Sequence, residues 1–187
     1  MALGYRKTLV SSQGDGPTLT AAAAATCLPG QAKFTIPAGT FDAPGKILHI
    51  WASGRISSLI TTPGTARYDV RLGGTVMFDS LAILLDSVAA HTTVGWTLDI
   101  TMTMRTAGSS ATFWGQGTWT SEDILGVPAT APKGVLSAIL PWNSTPAVSG
   151  NTFDANASQV LDLFFTQTAA TGSMTVHQYM AEIVSFE

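Results

Sequence analysis

The sequence predicts an all-β protein, a jelly-roll-like β-sandwich with an N-terminal arm. Three observations predict it. Apolar and polar residues alternate with a period of two along most patterned segments, as in half-buried strands. Glycine- and proline-bearing turn signals separate those segments, leaving roughly six to nine strands at regular spacing. Helix-forming sequence is confined to Ala21 to Ala25, and a run that short cannot hold a helix without tertiary support.

Residues 1–30 read as an arm with a possible first strand, and residues 31–187 as a single sandwich domain. Deleting residues 1–25 is expected to leave that domain folded. Lys33 to Ile36 alternates and stops at Pro37. Ile47 to Ile56 places Leu48, Ile50, Ala52 and Gly54 on one face. Ala66 to Leu72 sets Arg67, Asp69 and Arg71 against Tyr68, Val70 and Leu72. Gly73-Gly74 then interrupts the pattern before Thr75 to Phe78. That is a hairpin signal, because a type I′ turn needs φ > 0 at both central residues. From Asp79 to Thr93, Leu81, Ile83 and Leu85 alternate, while Ser87 to Thr93 reads as a loop.

Val94 to Arg105 is the clearest strand. Trp96, Leu98, Ile100, Met102 and Met104 face one way, with Thr97, Asp99, Thr101, Thr103 and Arg105 opposite. A helix would scatter those apolar residues around its circumference. Thr106 to Ser110 is a turn, and Ala111 to Thr120 returns with Phe113 and Trp119 on one face. Ser121 to Lys133, with Pro128 and Pro132, and Pro141 to Asn156 are loops. Ala157 to Gln167 and Met174 to Phe186 form a second long hairpin. In its last strand Val176, Gln178, Met180, Glu182, Val184 and Phe186 share a face; His177, Tyr179, Ala181, Ile183 and Ser185 take the other.

Composition narrows the function. At 187 residues the chain can bury about 70% of its unfolded surface, enough for a core without disulfides or metal. Charged residues are 11% and hydrophobic residues 45%, the reverse of a disordered chain. A net charge of −3 with scattered basic residues argues against nucleic-acid binding. The single cysteine, Cys27, lacks cationic neighbours and reads as a small buried hydrophobe. Met1 to Val10 has no signal-peptide core, and Leu81 to Leu85 is too short to span a bilayer. No membrane association is expected.

The search for chemistry returns no enzyme motif, metal site or cofactor site. His49, His91 and His177 lie at no ligand spacing; the first and last fall in strands, and His91 in a solvated loop. There is no Gly-x-Ser-x-Gly elbow and no phosphate loop. Gly115-Gln116-Gly117 lies within a strand, where it marks a bulge or the close approach of another backbone. Glu122-Asp123 is the one adjacent carboxylate pair; it reads as a solvated turn rather than a glycosidase pair. Asp15, Asp42 and Asp154 carry turn chemistry. Of the tryptophans Trp51, Trp96, Trp114, Trp119 and Trp142, the pattern places Trp96 and Trp119 in the core. Trp142, at a strand end, is the foremost surface candidate, with Trp114, Gly115 and Gly117 as further candidate subunit or ligand contacts. Asn143-Ser144-Thr145 and Asn156-Ala157-Ser158 match glycosylation sequons that have no consequence without a leader. A surface low in charge and rich in Thr, Ser, Ala and Gly suits a subunit packed against others.

Several segments carry a family likeness. They are Ile47-Leu48-His49-Ile50-Trp51-Ala52-Ser53-Gly54-Arg55-Ile56 and Tyr68-Asp69-Val70-Arg71-Leu72-Gly73-Gly74-Thr75-Val76-Met77-Phe78-Asp79-Ser80. Trp96 to Thr101, Met104 to Gly108 and Phe113-Trp114-Gly115-Gln116-Gly117 continue the order. Residues 31–187 thereby resemble the small jelly-roll virion structural proteins of tailed bacteriophages; the arm lies outside the pattern. The resemblance implies a virion location after synthesis in the host cytoplasm. It implies a homotrimer bound to the major capsid protein or another virion protein, as a capsid decoration (cement) protein or a tail, spike or fibre part. It carries over no catalytic residue. The alternative reading is a carbohydrate-binding module or receptor-binding fibre tip, which expects an exposed aromatic platform led by Trp142 and Trp114.

Overall fold

The computed structural model describes residues 4–124, 137–142 and 151–186. Twelve strands run through the described residues: β1 (Gly4–Ser11), β2 (Ala24–Thr26), β3 (Phe34–Ile36), β4 (Ile47–Ser58), β5 (Thr65–Leu72) and β6 (Thr75–Asp79). Then follow β7 (Ile83–Leu84), β8 (His91–Thr106), β9 (Thr112–Ser121), β10 (Ser137–Leu140), β11 (Gln159–Gln167) and β12 (Ser173–Phe186). Sheet I has the order β1-β12-β4-β8-β9-β10. Sheet II has the order β2-β11-β5-β6, with β3 also on β11 and β7 also on β5.

The pairings are nested. β1 joins β12, β2 and β3 join β11, β4 joins β8, and β5 joins β6, every pair antiparallel. A long hairpin of four nested pairs, rolled so that alternate pairs fall in opposite sheets, is a jelly roll. β9 and β10 lie outside that plan and widen sheet I by two strands. At the β5–β6 turn Gly73 and Gly74 have φ of 57° and 91°, the conformation the two-glycine signal required.

The alternation in the sequence becomes the two inner faces. Sheet I contributes Leu48, Ile50 and Ala52 from β4, Trp96 to Met104 at every second position from β8, and Phe113 and Trp119 from β9, all buried. Sheet II contributes Ala66, Tyr68, Val70, Leu72, Leu161, Leu163 and Phe165. The Tyr68 ring joins the sheets, with centroids 5.5 Å from Trp96, 5.5 Å from Trp119 and 5.2 Å from Phe165. A second aromatic group, Phe41, Phe113 and Phe153, fills another part of the core at 5.1 to 6.1 Å. Burying each of these rings contributes about 1.5–3 kcal/mol before entropy is counted. Cys27 is fully buried, and desolvation raises its thiol pKa far above the ordinary range, which leaves it a packing residue.

The structure changes the sequence reading in five places. The two C-terminal strands, read as a hairpin, part into different sheets: β11 pairs with β2, β3 and β5 in sheet II, and β12 with β1 and β4 in sheet I, because the sandwich nests each with an earlier strand. Residues 4–30, read as an arm with a possible first strand, supply two strands, β1 on the edge of sheet I and β2 on the edge of sheet II. All of β1 and two of the three β2 residues lie within residues 1–25, so deleting these would strip a strand from each sheet, and Cys27 and Leu28 just beyond enter the core. Ala24 and Ala25, read within a helix-favouring run, pair with Thr166 and Phe165 instead. His91, placed in a loop, opens β8 opposite Ser58. In β12 the register slips between Val176 and Gln178. Val176 therefore faces inward with Tyr179, Ala181 and Ile183, and not outward with Gln178 and Met180. Strict alternation cannot anticipate this, because a bulge inserts one residue and reverses every face beyond it. Pro128, Pro132 and the sequon at Asn143 lie outside the described residues.

Candidate functional site

The outward residues of sheet I come from alternate positions of β12, β4, β8 and β9, and register aligns them in rows. Gln178, Ser53, Thr97 and Thr120 form one row; Met180, Trp51, Asp99 and Thr118 form the next. Glu182, His49, Thr101 and Gln116 form a third. The face is mostly hydroxyl-bearing and neutral. Apart from Arg105 beside Trp114, its charges collect in two places.

The first is a string of ionisable groups. Arg6 Nη1 lies 3.2 Å from Glu182 Oε2, and the Thr8 hydroxyl donates to Glu182 Oε1 at 3.3 Å. His49 Nδ1 is 3.7 Å from Glu182 Oε2, and its Nε2 is 3.2 Å from both oxygens of Asp99. These contacts tie β1, β12, β4 and β8 together. Glu182 is buried on an outer face because β1 covers it.

The second is a cleft of about 660 Å³ lined by Ser53, Gly54, Arg55, Gly95, Trp96, Thr97, Thr120, Ser121, Glu122, His177 and Gln178. Two register shifts flank it, at Val176/Gln178 between β12 and β4 and at Ile56/Ser58 between β4 and β8. The β12 bulge turns both His177 and Gln178 toward solvent. It also carries the Thr175 carbonyl against Gly54, where a Cβ would collide with that oxygen and come within 2.8 Å of Trp96 Cζ2. Gly54 is thus the residue that lets the sheet deform here.

Polar groups converge on the cleft from all four strands. The Ser53 hydroxyl donates to Gln178 Oε1 at 3.2 Å, and His177 Nδ1 meets Asp15 Oδ1 at 2.9 Å. Arg55 crosses toward β8, its Nη1 at 3.1 Å from where a Gly95 Cβ would stand. Arg55 and Glu122 are both exposed and make no ion pair or hydrogen bond among the described residues. Arg55 pairs with Gly95 of β8, a strand spacing of roughly 4.8 Å away, and Glu122 directly follows Ser121, which pairs with Trp96 next to Gly95.

Glu122 and Asp123 part company. Glu122 opens into the cleft, whereas Asp123 is fully buried, so the solvated-turn reading holds for the first and fails for the second. Asp123 Oδ1 accepts from Ser58 at 2.6 Å, and its Oδ2 has no hydrogen-bond partner. Desolvation raises its pKa, and the nearby Asp86 charge adds to that, against the Ser58 hydrogen bond and the attraction of His91. Asp86 itself pairs with His91 Nε2 at 3.0 Å. Desolvation raises the Asp86 pKa, but the His91 bond and the Val88 and Ala89 amides outweigh it and lower the net value. Ser58, His91 and the two aspartates do not form a triad: the Ser58 proton goes to Asp123, and His91 turns to Asp86.

The sequence-derived contact candidates fall in different places. Trp114 is half-buried on the outer face of sheet I, with the Arg105 guanidinium 5.5 Å from its ring centroid. Gly115 is buried; its missing Cβ leaves room for Phe78 of β6, 2.6 Å away. Gly117 makes room for the Asp99 carbonyl, a close backbone as its position in the strand suggested. Trp142 packs half-buried on the core and donates its amide to the Ser80 carbonyl at 2.7 Å. Trp96 and Trp119 are in the core as read. The cleft residues Arg55, Glu122, His177 and Gln178 were not singled out together. The only local signals were Gly54 inside a strand and an uninterrupted polar alternation around it. No group of three or more His, Cys, Asp or Glu among the described residues is placed to hold a metal ion. No helix among them is long and apolar enough to cross a membrane.

No family model and no curated protein matches the chain. Among solved structures, it is similar to the CBM2 module of the evolved Dit of Lactobacillus casei BL23 phage J-1, with 10% identity and a TM-score of 0.39 over 96% of each chain. Likeness at that level leaves partner and ligand to be argued from this chain's own residues.

Proposed function

We propose that the chain is a structural protein of a bacteriophage particle, a trimeric capsid decoration protein that binds and stabilises the outside of the head without catalytic turnover. The observation that carries the reading is the added part of sheet I. β9 and β10 extend the jelly roll with a face of Gln116, Thr118 and Thr120 beside Ile139, which is 65% exposed. An aliphatic residue among neutral hydroxyls costs little to desolvate when another subunit covers it, unlike a charged face. The resemblance of residues 31–187 to phage jelly-roll proteins supports the same reading. Its two longest segments fall on β4 and on the β5–β6 hairpin.

The test is the solution mass by light scattering, followed by co-sedimentation with phage heads that lack decoration. The reading expects a trimer that Ile139→Asp dissociates, and heads that retain the wild-type chain. A monomer that fails to sediment with heads removes it.

A further inference from the structure

We infer that the cleft between Arg55 and Glu122 is a binding site for a neutral carbohydrate. The cleft alone carries this assignment, independently of the capsid reading.

The volume of about 660 Å³ falls within the range of small-ligand sites. Its charge content selects the ligand. Arg55 and Glu122 face the opening without partners among the described residues, one a pure donor and the other a pure acceptor. His177 Nδ1 is already engaged by Asp15 Oδ1 at 2.9 Å. An anion would meet Glu122, a cation would meet Arg55, and an apolar ligand would bury both unpaired. A vicinal diol satisfies both at once. Each hydroxyl accepts and donates, and adjacent ring oxygens match the bidentate spacing of a guanidinium and of a carboxylate. Thr97, Thr120, Ser121 and the Gln178 amide supply further donors and acceptors around the same opening.

The site is also built, since it depends on departures from a regular sheet. Gly54 accommodates the bulge that turns His177 and Gln178 outward, and Gly95 leaves the gap over which Arg55 lies. Trp96 closes the floor, 2% exposed, with its Nε1 unpartnered. The site recognises sugar by polar contacts, and its lining residues include no exposed tryptophan, tyrosine or phenylalanine. It therefore differs from the Trp142–Trp114 platform that the sequence suggested.

The experiment is calorimetric titration of the full chain with maltotriose, cellotriose, chitotriose and N-acetyllactosamine, alongside glucuronate and glycine betaine. The variants are Arg55→Ala, Glu122→Gln and, as a control outside the cleft, Asp99→Asn. Arg55 and Glu122 are exposed and unpartnered, so both variants should fold, which circular dichroism verifies. Expected is saturable binding of at least one neutral oligosaccharide. Arg55→Ala and Glu122→Gln should each weaken it by roughly 10- to 100-fold, the usual loss of a hydrogen bond to a charged group, and Asp99→Asn should leave it unchanged. Absence of neutral-sugar binding at millimolar concentration overturns the proposal. So does binding that both cleft variants retain, or tighter binding of glucuronate or betaine. A trimer that binds no sugar would sink this site and leave the capsid reading standing; a sugar-binding monomer would do the opposite.

Discussion

The outer face of sheet II and the cleft on sheet I handle charge in opposite ways. On sheet II the charges cancel within the face: Arg67 forks onto Asp79, Arg71 binds Asp69 at 2.8 Å, and Lys33 binds Asp162 at 2.9 Å. The Arg71 guanidinium also lies 3.7 Å above the Phe164 ring. On sheet I the cleft leaves a guanidinium and a carboxylate unpaired across an open gap. Both faces have the same pleat and alternation. What differs is whether the polar positions were spent on one another or left free. Paired charge on a sheet is structural; unpaired charge around a cavity is available to a partner.

Removing one cation from each face is the strongest way to break that contrast. Arg71→Ala strands the Asp69 carboxylate, 3% exposed, and should cost about 3–5 kcal/mol in urea unfolding. Arg55→Ala should stay within about 0.5 kcal/mol of wild type. Equal losses would erase the distinction.

The next test concerns backbone. Gly54→Ala drives a methyl into the Thr175 carbonyl and should lower stability by about 1–3 kcal/mol, read by thermal denaturation. Gly95→Ala meets only the flexible end of Arg55 and should change it by about 0.5 kcal/mol or less. If the two prove alike, the cleft is not an outcome of the bulge.

Asp123 sharpens the comparison from the inside, as a buried carboxylate behind sheet I without a cationic fork. Its pKa is raised above 3.8 by desolvation, so the folded state holds its proton more tightly than the unfolded chain. Stability should therefore fall as pH rises from about 3.8 through the raised value. Asp123→Asn should flatten that slope in urea melts taken across the range. A slope unchanged by the substitution would assign the effect elsewhere. Asp86, whose pKa is lowered, acts in the opposite sense and loses its contribution as pH falls below the ordinary value.

The smallest effect is expected at Arg6, whose side chain is largely exposed. Arg6→Ala should cost about 0.2–1 kcal/mol and appear as faster amide exchange in β1 alone. Exchange that accelerates throughout sheet I would mean that the edge contact holds more than its strand.

The fold was legible where one face is buried and the other wet. In β4, β5 and β8 the period of two survives for eight residues or more, and the structure keeps every face assignment. It became illegible where a long-range partner decides. Ala24 to Thr26 is a strand because Phe164 to Thr166 lies beside it, against the local preference of alanine. The β12 bulge follows from pairing with β4, and no residue near His177 announces it. The cleft was illegible for the same reason, since Arg55, Glu122 and His177 meet only through strand register. Their surroundings carry no motif, because hydrogen-bonding groups for a neutral ligand need no fixed spacing in sequence.

The nesting of first strand with last also governs how the chain is made. β1 pairs with β12, whose Met180 to Phe186 face Gly4 to Ser11 across almost the whole sequence. During synthesis at about 5–20 residues per second, β1 waits as an unpaired edge until β12 leaves the ribosome. Glu182, the anchor for Arg6 and Thr8, emerges 174 residues after Thr8. Sheet I therefore closes only once β12 has been made, the β5–β6 hairpin can form well before it, and folding should be slow because the decisive contacts are among the most distant in sequence.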